Sequence, residues 1–426
     1  MRQRRFGTPE LAVVAVLALL VAGALLLGGG KAEPTRTVVS PERLARVERG
    51  VEQIRGLRFK RPVSVEVMTA DEARAYAERE TDGDARQAVA TGGELMMLLG
   101  LVEPGYDFDS LAADLFGEQV AGFYDPVEER LVLVEGVGID DGTLAHELTH
   151  ALEDQHYDLE RLGDADGVVY DGDGAVGESG LVEGTAMLVM TRYLERNPGA
   201  VSFGEAFGQL LSASAARPLP EAIMRSLTFP YLAGERFVRR LYGTTGDWRL
   251  VDVALRDRPP ASSAELLDAD RWLRAVRPER VPVPAADAPG AGWRRISQST
   301  FGENDLRELL RDPLDERPAG RLAAGWAGGT VVLWRRGPLP AADCAAPCRA
   351  RDALALRLRL DSARAARRLR SALETWIAVT LDGAGVDADE VISRVGQDGL
   401  VQVGGSGREV RVAMAPDAAV LERLLR

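Results

Sequence analysis

The stretch TLAHELTHALEDQH, from Thr143 to His156, holds all three histidines of the 426-residue chain. Two of them, His146 and His150, belong to the pattern H-E-x-x-H, and His156 follows six residues later. A helix turns by about 100° per residue, so residues four apart lie on one face, one turn from each other. On a helix, the two imidazoles of the pattern can therefore reach one metal ion.

Glu147 lies beside the two histidines of the pattern. A glutamate at this position can hold a metal-bound water and take its proton, acting as a general base. Leu144, Leu148, Ala151 and Leu152 gather on the other side of the helix and give it an apolar surface to bury. This arrangement predicts a zinc site in a cleft.

The third ligand of such a site is not specified by the motif. A catalytic zinc ion needs three protein ligands and one open position. His156 is one candidate, because its spacing matches H-E-x-x-H-x-x-G-x-x-H, in which a glycine breaks the helix. Here Glu153 occupies the glycine position, and neither Gly nor Pro occurs between Thr143 and His156. On a continuous helix His156 points about 100° away from the other histidines and misses the metal.

The second candidate is Glu183, in the segment SGLVEGTAMLVM. On a helix it shares a face with Met187 and Met190, where an unpaired carboxylate is costly and a metal ion would offset the cost. Gly180 and Gly184 flank it and allow a close approach to a neighbouring helix. We therefore expect Glu183 as the third ligand; a partly solvated glutamate near a helix start is the alternative reading.

The N-terminus carries a membrane signal. An uninterrupted apolar run covers Leu11 to Leu27 and is extended by three glycines to about the 20 residues that a spanning helix needs. Arg2, Arg4 and Arg5 precede it, which predicts a cytoplasmic N-terminus and an extracytoplasmic remainder. We expect a single-pass anchor in the cell membrane. A cleaved signal peptide, and hence a secreted protein, is the alternative.

Charge, cysteines and loops narrow the class of protein further. A net charge of -13 argues against a nucleic-acid partner, because phosphate binding needs a basic surface. In an exported domain, Cys344 and Cys348 can form a small disulfide. Residues 164–174, rich in Gly and Asp, lack the pattern of a calcium loop, so we expect a turn-rich loop there.

These residues resemble a known family. HELTH, the downstream LVEGTA and the upstream AGFYDP…LVLV hairpin together resemble the gluzincin metallopeptidases, zincins of the peptidase MA-like kind, in which an E-G-x-A helix brings the third ligand. LTFPYLAGERFVRRLY, GDWRLVDVAL and RPPASSAELLD are similar to segments of membrane-associated bacterial and archaeal members of uncharacterised function. The resemblance covers roughly Val120 to Trp272.

The resemblance implies a set of roles. His146, His150 and Glu183 would be zinc ligands, Glu147 the base, and Leu131–Val134 an edge strand that pairs with an extended substrate. Better-known gluzincins carry, four residues after the third ligand, an acid that supports a histidine. That position is Met187 in this chain.

Two supporting groups remain to be assigned from the sequence. Because Met187 cannot support a ligand histidine, Asp154 is the candidate acceptor behind the ligands. A donor for the oxyanion is also needed, and Tyr231 and Tyr157 are the candidates. For a tyrosine beside Phe and Pro, as Tyr231 is, the plain alternative is a core position.

The chain is expected to have three regions: an anchor or signal segment at 1–35, a metallopeptidase domain at 36–280 and a C-terminal domain of unassigned role at 281–426. Turn signals predict a hairpin within Val120–Val134 and a loop at Gly163–Gly177. The expected fold class is α+β. It comprises a mainly helical zincin-like domain with a small edge sheet and an α+β C-terminal domain, behind one N-terminal transmembrane helix.

The expected function is a zinc-dependent metallopeptidase that hydrolyses peptide bonds of a peptide or protein substrate outside the cytoplasm. Glu147 would activate the zinc-bound water. The alternative from another class is a catalytically silent zincin-fold protein that binds or scaffolds partners in the envelope. A zinc hydrolase acting on a non-peptide substrate is a weaker option.

Overall fold

The structure, a computed structural model of the 426-residue chain, describes residues 39–80, 83–108, 122–136, 138–163, 172–198, 219–337, 346–385, 392–396 and 399–426. The predicted membrane anchor at Leu11–Leu27 lies outside these ranges, as do residues 164–171 of the predicted Gly/Asp loop and Cys344. Cys348 is disulfide-bonded. Among the described residues, no helix is both long and apolar enough to cross a membrane.

The described residues between 39 and 280 form helices around one small sheet. The helices are α1 (Pro41–Arg55), α2 (Ala70–Glu80), α3 (Asp84–Leu98), α4 (Asp141–Tyr157), α5 (Gly172–Arg196), α6 (Glu221–Thr245), α7 (Arg249–Arg256), α8 (Ser263–Leu267) and α9 (Ala269–Leu273), with a 3₁₀ turn at Leu159–Gly163. The strands are β1 (Ser64–Met68), β2 (Gly122–Asp125) and β3 (Arg130–Val134).

Helix α4 carries the histidine motif and is buried along nearly its whole length. Asp140 caps it: its carboxylate accepts hydrogen bonds from the backbone N–H groups of Gly142, at 2.7 Å, and Thr143, at 3.0 Å. Such a cap satisfies amides that have no partner within the helix. Because no helix breaker follows Thr143, the helix runs unbroken past His156, which confirms the predicted continuous helix.

The small sheet has the strand order β1-β3-β2. β2 and β3 form the predicted hairpin, whose turn is closed by Asp125: its Oδ1 accepts from the N–H groups of Val127, at 3.0 Å, and Glu128, at 3.1 Å. The expectation that Leu131–Val134 is an edge strand is wrong. β1 pairs with it in parallel on its other side, so β3 is the central strand and, among the described strands, β2 lies at an edge.

The predicted loop at Gly163–Gly177 is also partly wrong, because α5 already begins at Gly172. Its glycines serve helix packing rather than turns. A Cβ at Gly177 would lie 2.6 Å from the carbonyl oxygen of Pro260, and one at Gly180 would lie 2.3 Å from a methyl group of Leu266. Only glycine lets this face of the helix come so close to its neighbours.

Helices α5 and α6 meet through glycine as well. A Cβ at Gly184 would lie 2.2 Å from the carbonyl carbon of Gly234, and a Cβ at Gly234 would lie 1.9 Å from the carbonyl oxygen of Gly180. The two backbones are therefore in direct contact, as Gly180 and Gly184 led us to expect. This contact sets the position of the residue between them, Glu183.

The C-terminal region contains a seven-stranded sheet with the order β4-β5-β6-β10-β9-β8-β7. Its strands are β4 (Trp293–Thr300), β5 (Trp326–Arg336), β6 (Asp352–Leu360), β7 (Ala384–Gly385), β8 (Ile392–Val395), β9 (Gly399–Gly404) and β10 (Glu409–Ala415). Its helices are α10 (Glu303–Leu314), α11 (Glu316–Ala323), α12 (Ala363–Val379) and α13 (Ala418–Leu425). Together with the first 280 residues, this makes the described chain an α+β protein.

Alternate residues of the central strands face two apolar layers. Leu354, Leu356 and Leu358 of β6 pack against α10, α11 and α12, whereas Ala353 and Ala355 pack against α13. This is the alternation that a sheet covered on both faces requires.

The two regions are joined by packing and by polar contacts. Leu98, the last residue of α3, and the following Leu99 belong to the same buried cluster as the C-terminal sheet, and the indole N–H of Trp376 donates to the carbonyl oxygen of Leu99 at 3.2 Å. At the start of α5, the N–H of Asp173 donates to Oγ1 of Thr300 at 2.8 Å. The C-terminal region thus contacts the base of the helix that carries Glu183.

Gly234→Ala tests the helix contact. Its methyl group would lie 1.9 Å from the carbonyl oxygen of Gly180, so α5 and α6 must move apart, and we expect the free energy of unfolding to fall by about 2–3 kcal/mol. The control is Gly243→Ala on the same helix, where a Cβ meets no atom within 4 Å. That variant should be neutral or up to about 1 kcal/mol more stable in urea denaturation. Equal stability of the two variants would contradict the close contact.

Glu303 makes stability depend on pH. It is 6% exposed at the start of α10, and burial raises its pKa to about 7 despite Arg271, whose Nη2 lies 3.2 Å from its carboxylate. The folded protein therefore holds a proton that the unfolded chain releases near pH 4.5. Stability should fall as the pH rises from that value to about 7, by about 2–3 kcal/mol between pH 5 and 8.

Glu303→Gln should abolish this contribution. Chemical denaturation of wild type and variant at pH 5 and pH 8 measures this contribution. If the difference in free energy of unfolding between the two proteins is the same at both pH values, the assignment is contradicted.

Candidate metal centre

Three ligand atoms from two helices meet inside the first region. Nε2 of His146 lies 3.1 Å from Oε2 of Glu183 and 3.1 Å from Nε2 of His150, and Nε2 of His150 lies 3.6 Å from the same carboxylate oxygen. The side chains are nearly inaccessible to water, with exposures of 1%, 4% and 4% for His146, Glu183 and His150. The structure thus brings the predicted ligands together.

The geometry follows from helix periodicity and helix packing. On α4 the two imidazoles project from successive turns, with ring centroids 4.7 Å apart and planes at 85°. Glu183 reaches them from α5, which packs along α4 and is held at its other side by the glycine contact with α6. The motif supplies two ligands from one helix, and the third requires the tertiary fold.

The donor set fits a zinc ion. Ligand atoms bound to zinc at about 2.0–2.1 Å in a tetrahedral arrangement lie about 3.3 Å from one another. The three separations of 3.1, 3.1 and 3.6 Å agree with this value. Two imidazoles and one carboxylate are also the ligand set of a catalytic zinc site that keeps one position open.

The ionisable side chains at the centre shift one another's pKa values. Burial would raise the pKa of Glu183, but the two histidines outweigh burial and hold that pKa well below its usual range. Burial would lower the pKa of His150, but the carboxylates of Glu183, Glu147 and Glu153 outweigh it and raise the pKa. The centre therefore attracts positive charge, which a divalent cation would supply.

Glu147 is fully buried beside the ligands. Its Oε2 accepts a hydrogen bond of 2.9 Å from the backbone N–H of Tyr124 on β2, whereas its Oε1 has no hydrogen-bond partner in the described part of the chain. Burial raises the pKa of Glu147, opposed by the neighbouring histidines. One oxygen is thus anchored, and the other is available to a small polar ligand.

The two tyrosine candidates lie in different surroundings. The ring of Tyr231, on α6, is 1% exposed and stacks on His146 with centroids 6.2 Å apart. The hydroxyl of Tyr157, two turns beyond His150, donates to Asp252 at 2.8 Å. Of the two, Tyr231 is the one that contacts the centre.

His156 lies apart from the centre, as a continuous helix requires. Its Nε2 is 2.8 Å from the carbonyl oxygen of Arg58. The group of possible ligand atoms found among the described residues comprises His146, His150 and Glu183 only.

Asp154 does not support a ligand histidine, and that expectation is wrong. Its Oδ2 accepts from the hydroxyl of Tyr124 at 2.8 Å, and its Oδ1 accepts from the N–H of Leu159 at 2.8 Å. The buried ion pair between Arg55 of α1 and Glu153 of α4, at 2.6 Å, was not predicted from the sequence. The sequence did contain an indication of this pair, because Glu153 lies on α4 among residues that the apolar pattern buries, where a carboxylate needs a partner.

Comparison with known proteins concerns the other end of the chain. Residues 290–425 match a family model described as a domain of unknown function (DUF8575). No curated protein and no solved structure matches the chain. The match begins near the predicted domain boundary at 281, covers about a third of the chain and contains none of the metal-centre residues.

Glu183→Ala tests the ligand set. Removing one of three ligands should abolish stoichiometric zinc binding, measured by elemental analysis of the purified protein. His156→Ala is the control and should retain one zinc per chain, because its imidazole contacts a carbonyl of Arg58 instead of the centre. Zinc loss in the His156 variant, or full retention in the Glu183 variant, would contradict the assignment.

Proposed function

We propose that this protein is a zinc-dependent metalloendopeptidase that acts outside the cytoplasm. One observation supports the proposal best. The side chains of His146, His150 and Glu183 lie together in the protein interior, and the buried carboxyl group of Glu147 lies beside them. No arginine or lysine of the described ranges forms an ion pair with these ligands, so the buried carboxylates call for a cation. Such a centre is costly to maintain without a bound ion.

The residues around the centre support hydrolysis. A zinc ion bound there would polarise the scissile carbonyl and lower the pKa of the attacking water. Glu147 would take the proton of that water on Oε1 and deliver it to the leaving amine, while the N–H of Tyr124 holds its other oxygen in place. Tyr231, stacked on His146, is the proposed donor to the oxyanion.

Strand β2 favours a peptide as the substrate. Within the described ranges β2 pairs only with β3, and its residue Tyr124 contacts the proposed base through the backbone. An extended peptide can pair with an edge strand through main-chain hydrogen bonds. This role, expected from the sequence for Leu131–Val134, is therefore reassigned to β2.

The proposed location follows from the N-terminal segment. The apolar run at Leu11–Leu27 and the arginines before it favour attachment to the cell membrane, with the metal centre on the extracytoplasmic side. The resemblance to membrane-associated gluzincins supports the same assignment.

Glu147→Gln separates catalysis from metal binding. The amide keeps the shape of the side chain but cannot take a proton, so cleavage of unfolded casein should fall by about 10²–10⁴-fold while one zinc per chain remains. Wild type should lose activity with a chelator and regain it with zinc. A zinc-loaded Glu147→Gln variant with full activity would refute the mechanism. A wild type that binds zinc and cleaves no protein substrate would favour the silent scaffold.

A further inference from the structure

Among the described residues, the ring nitrogen of His150 that faces away from the ligand cluster has no hydrogen-bond partner. Nε2 is the atom that lies near His146 and Glu183, and Nδ1 is buried without a hydrogen bond. An imidazole that binds a metal through Nε2 carries its proton on Nδ1, and this N–H normally donates to a carboxylate, carbonyl or water. A metal bound to Nε2 of His150 would therefore require a hydrogen-bond acceptor for the Nδ1–H group of this residue.

Glu153 offers a matching unpaired acceptor. It lies three residues after His150 on α4, and residues at this spacing are neighbours on a helix surface. The side chain is fully buried; its Oε1 accepts from Nε of Arg55 at 2.6 Å, and its Oε2 is buried without a partner. A buried donor and a buried acceptor, neither of which is paired within the part of the chain that the structure describes, thus lie on adjacent turns.

Arg55 holds this carboxylate in place. Its Nη2 donates to Asp252 of α7 at 2.6 Å, and its guanidinium lies over the indole ring of Trp248 at 4.7 Å from the centroid. The arginine is 1% exposed and comes from α1, and its guanidinium links Glu153 of α4 to Asp252 of α7. A carboxylate fixed in this way can in turn fix the orientation of an imidazole.

The other carboxylates of α4 are already engaged. Asp141 pairs with two arginines of α1 at the start of the helix, and Asp154 accepts from Tyr124 and Leu159. Glu147 is anchored to the N–H of Tyr124.

We infer that Glu153 is a positioning residue of the metal centre: its Oε2 accepts the Nδ1–H of His150 when a metal occupies Nε2. This inference rests on the zinc site of the proposed function. It also gives a reason for a glutamate at the position where the three-histidine pattern has its helix-breaking glycine. Here the helix continues and uses that position to support the second ligand.

The test is the zinc affinity of the full-length apoprotein in detergent, measured by competition with a chromophoric chelator. Glu153→Gln should weaken zinc binding by about 10- to 100-fold, the usual effect of losing a carboxylate behind a ligand histidine. Asp252→Asn is the matched control: it removes the other carboxylate of Arg55 but leaves Glu153, and should change the affinity by less than about 3-fold. Equal losses in both variants would overturn the inference in favour of a general effect of the Arg55 cluster.

Nitrogen NMR gives a readout that a merely structural role would not change. With three histidines in the chain, ¹⁵N-histidine labelling yields few signals, and His156→Ala identifies the histidine outside the centre. In zinc-loaded wild type, His150 should show a protonated Nδ1 whose proton is shifted downfield by a strong hydrogen bond. Glu153→Gln should move this proton upfield and leave the His146 signal in place. An unchanged His150 signal would overturn the inference.

A second variant covers the case in which Glu153→Gln fails to fold because Arg55 loses its partner. Arg55→Met combined with Glu153→Gln removes both charges and should show the same loss of zinc affinity; wild-type affinity in this double variant would overturn the inference. Failure of the proposed function is distinguishable, because wild type would then bind no stoichiometric zinc or cleave no casein.

Discussion

Burial of ionisable side chains on one helix is the constraint on which the rest of the structure depends. Helix α4 carries two histidines and three acidic residues that are withdrawn from water along its buried length. Each of these groups would be costly in a low-dielectric interior without a partner. The partners are the backbone amide and the hydroxyl of Tyr124 on β2, the buried Arg55 of α1 and the Glu183 carboxylate of α5, so they come from three parts of the chain. The elements that pack around α4 supply these polar partners.

The position of Glu183 depends on the close packing of α5 against its neighbours. Helix α5 contacts the backbone of α6 through Gly184 and Gly234, and its first turn bonds to Thr300 of the C-terminal region. A shift of α5 would move the third ligand away from the two histidines, since all three separations are already at contact distance. The region that matches a domain of unknown function therefore contacts the helix that carries Glu183, although none of its described residues lies in the group of possible metal ligands.

Much of the centre could be predicted from residue spacing, because helix periodicity is local. The four-residue interval between His146 and His150, and the absence of a helix breaker before His156, depend only on the neighbouring residues. The errors concern long-range pairing. The place of β3 inside the sheet depends on β1, more than sixty residues earlier, and the start of α5 depends on contacts with Pro260 and Leu266 that no local pattern reveals.

The sequence by itself determined that His146 and His150 share one face of a helix, that Glu147 lies beside them and that α4 is continuous, because in a regular helix the spacing of residues fixes their direction. Glu183 was expected from an unpaired carboxylate on an apolar helix face, which is also a local property. Only the tertiary structure decided that Asp154 serves Tyr124, that Arg55 reaches Glu153 and that β2 borders the centre. These contacts join residues far apart in the chain, and their geometry follows from how the helices and strands pack.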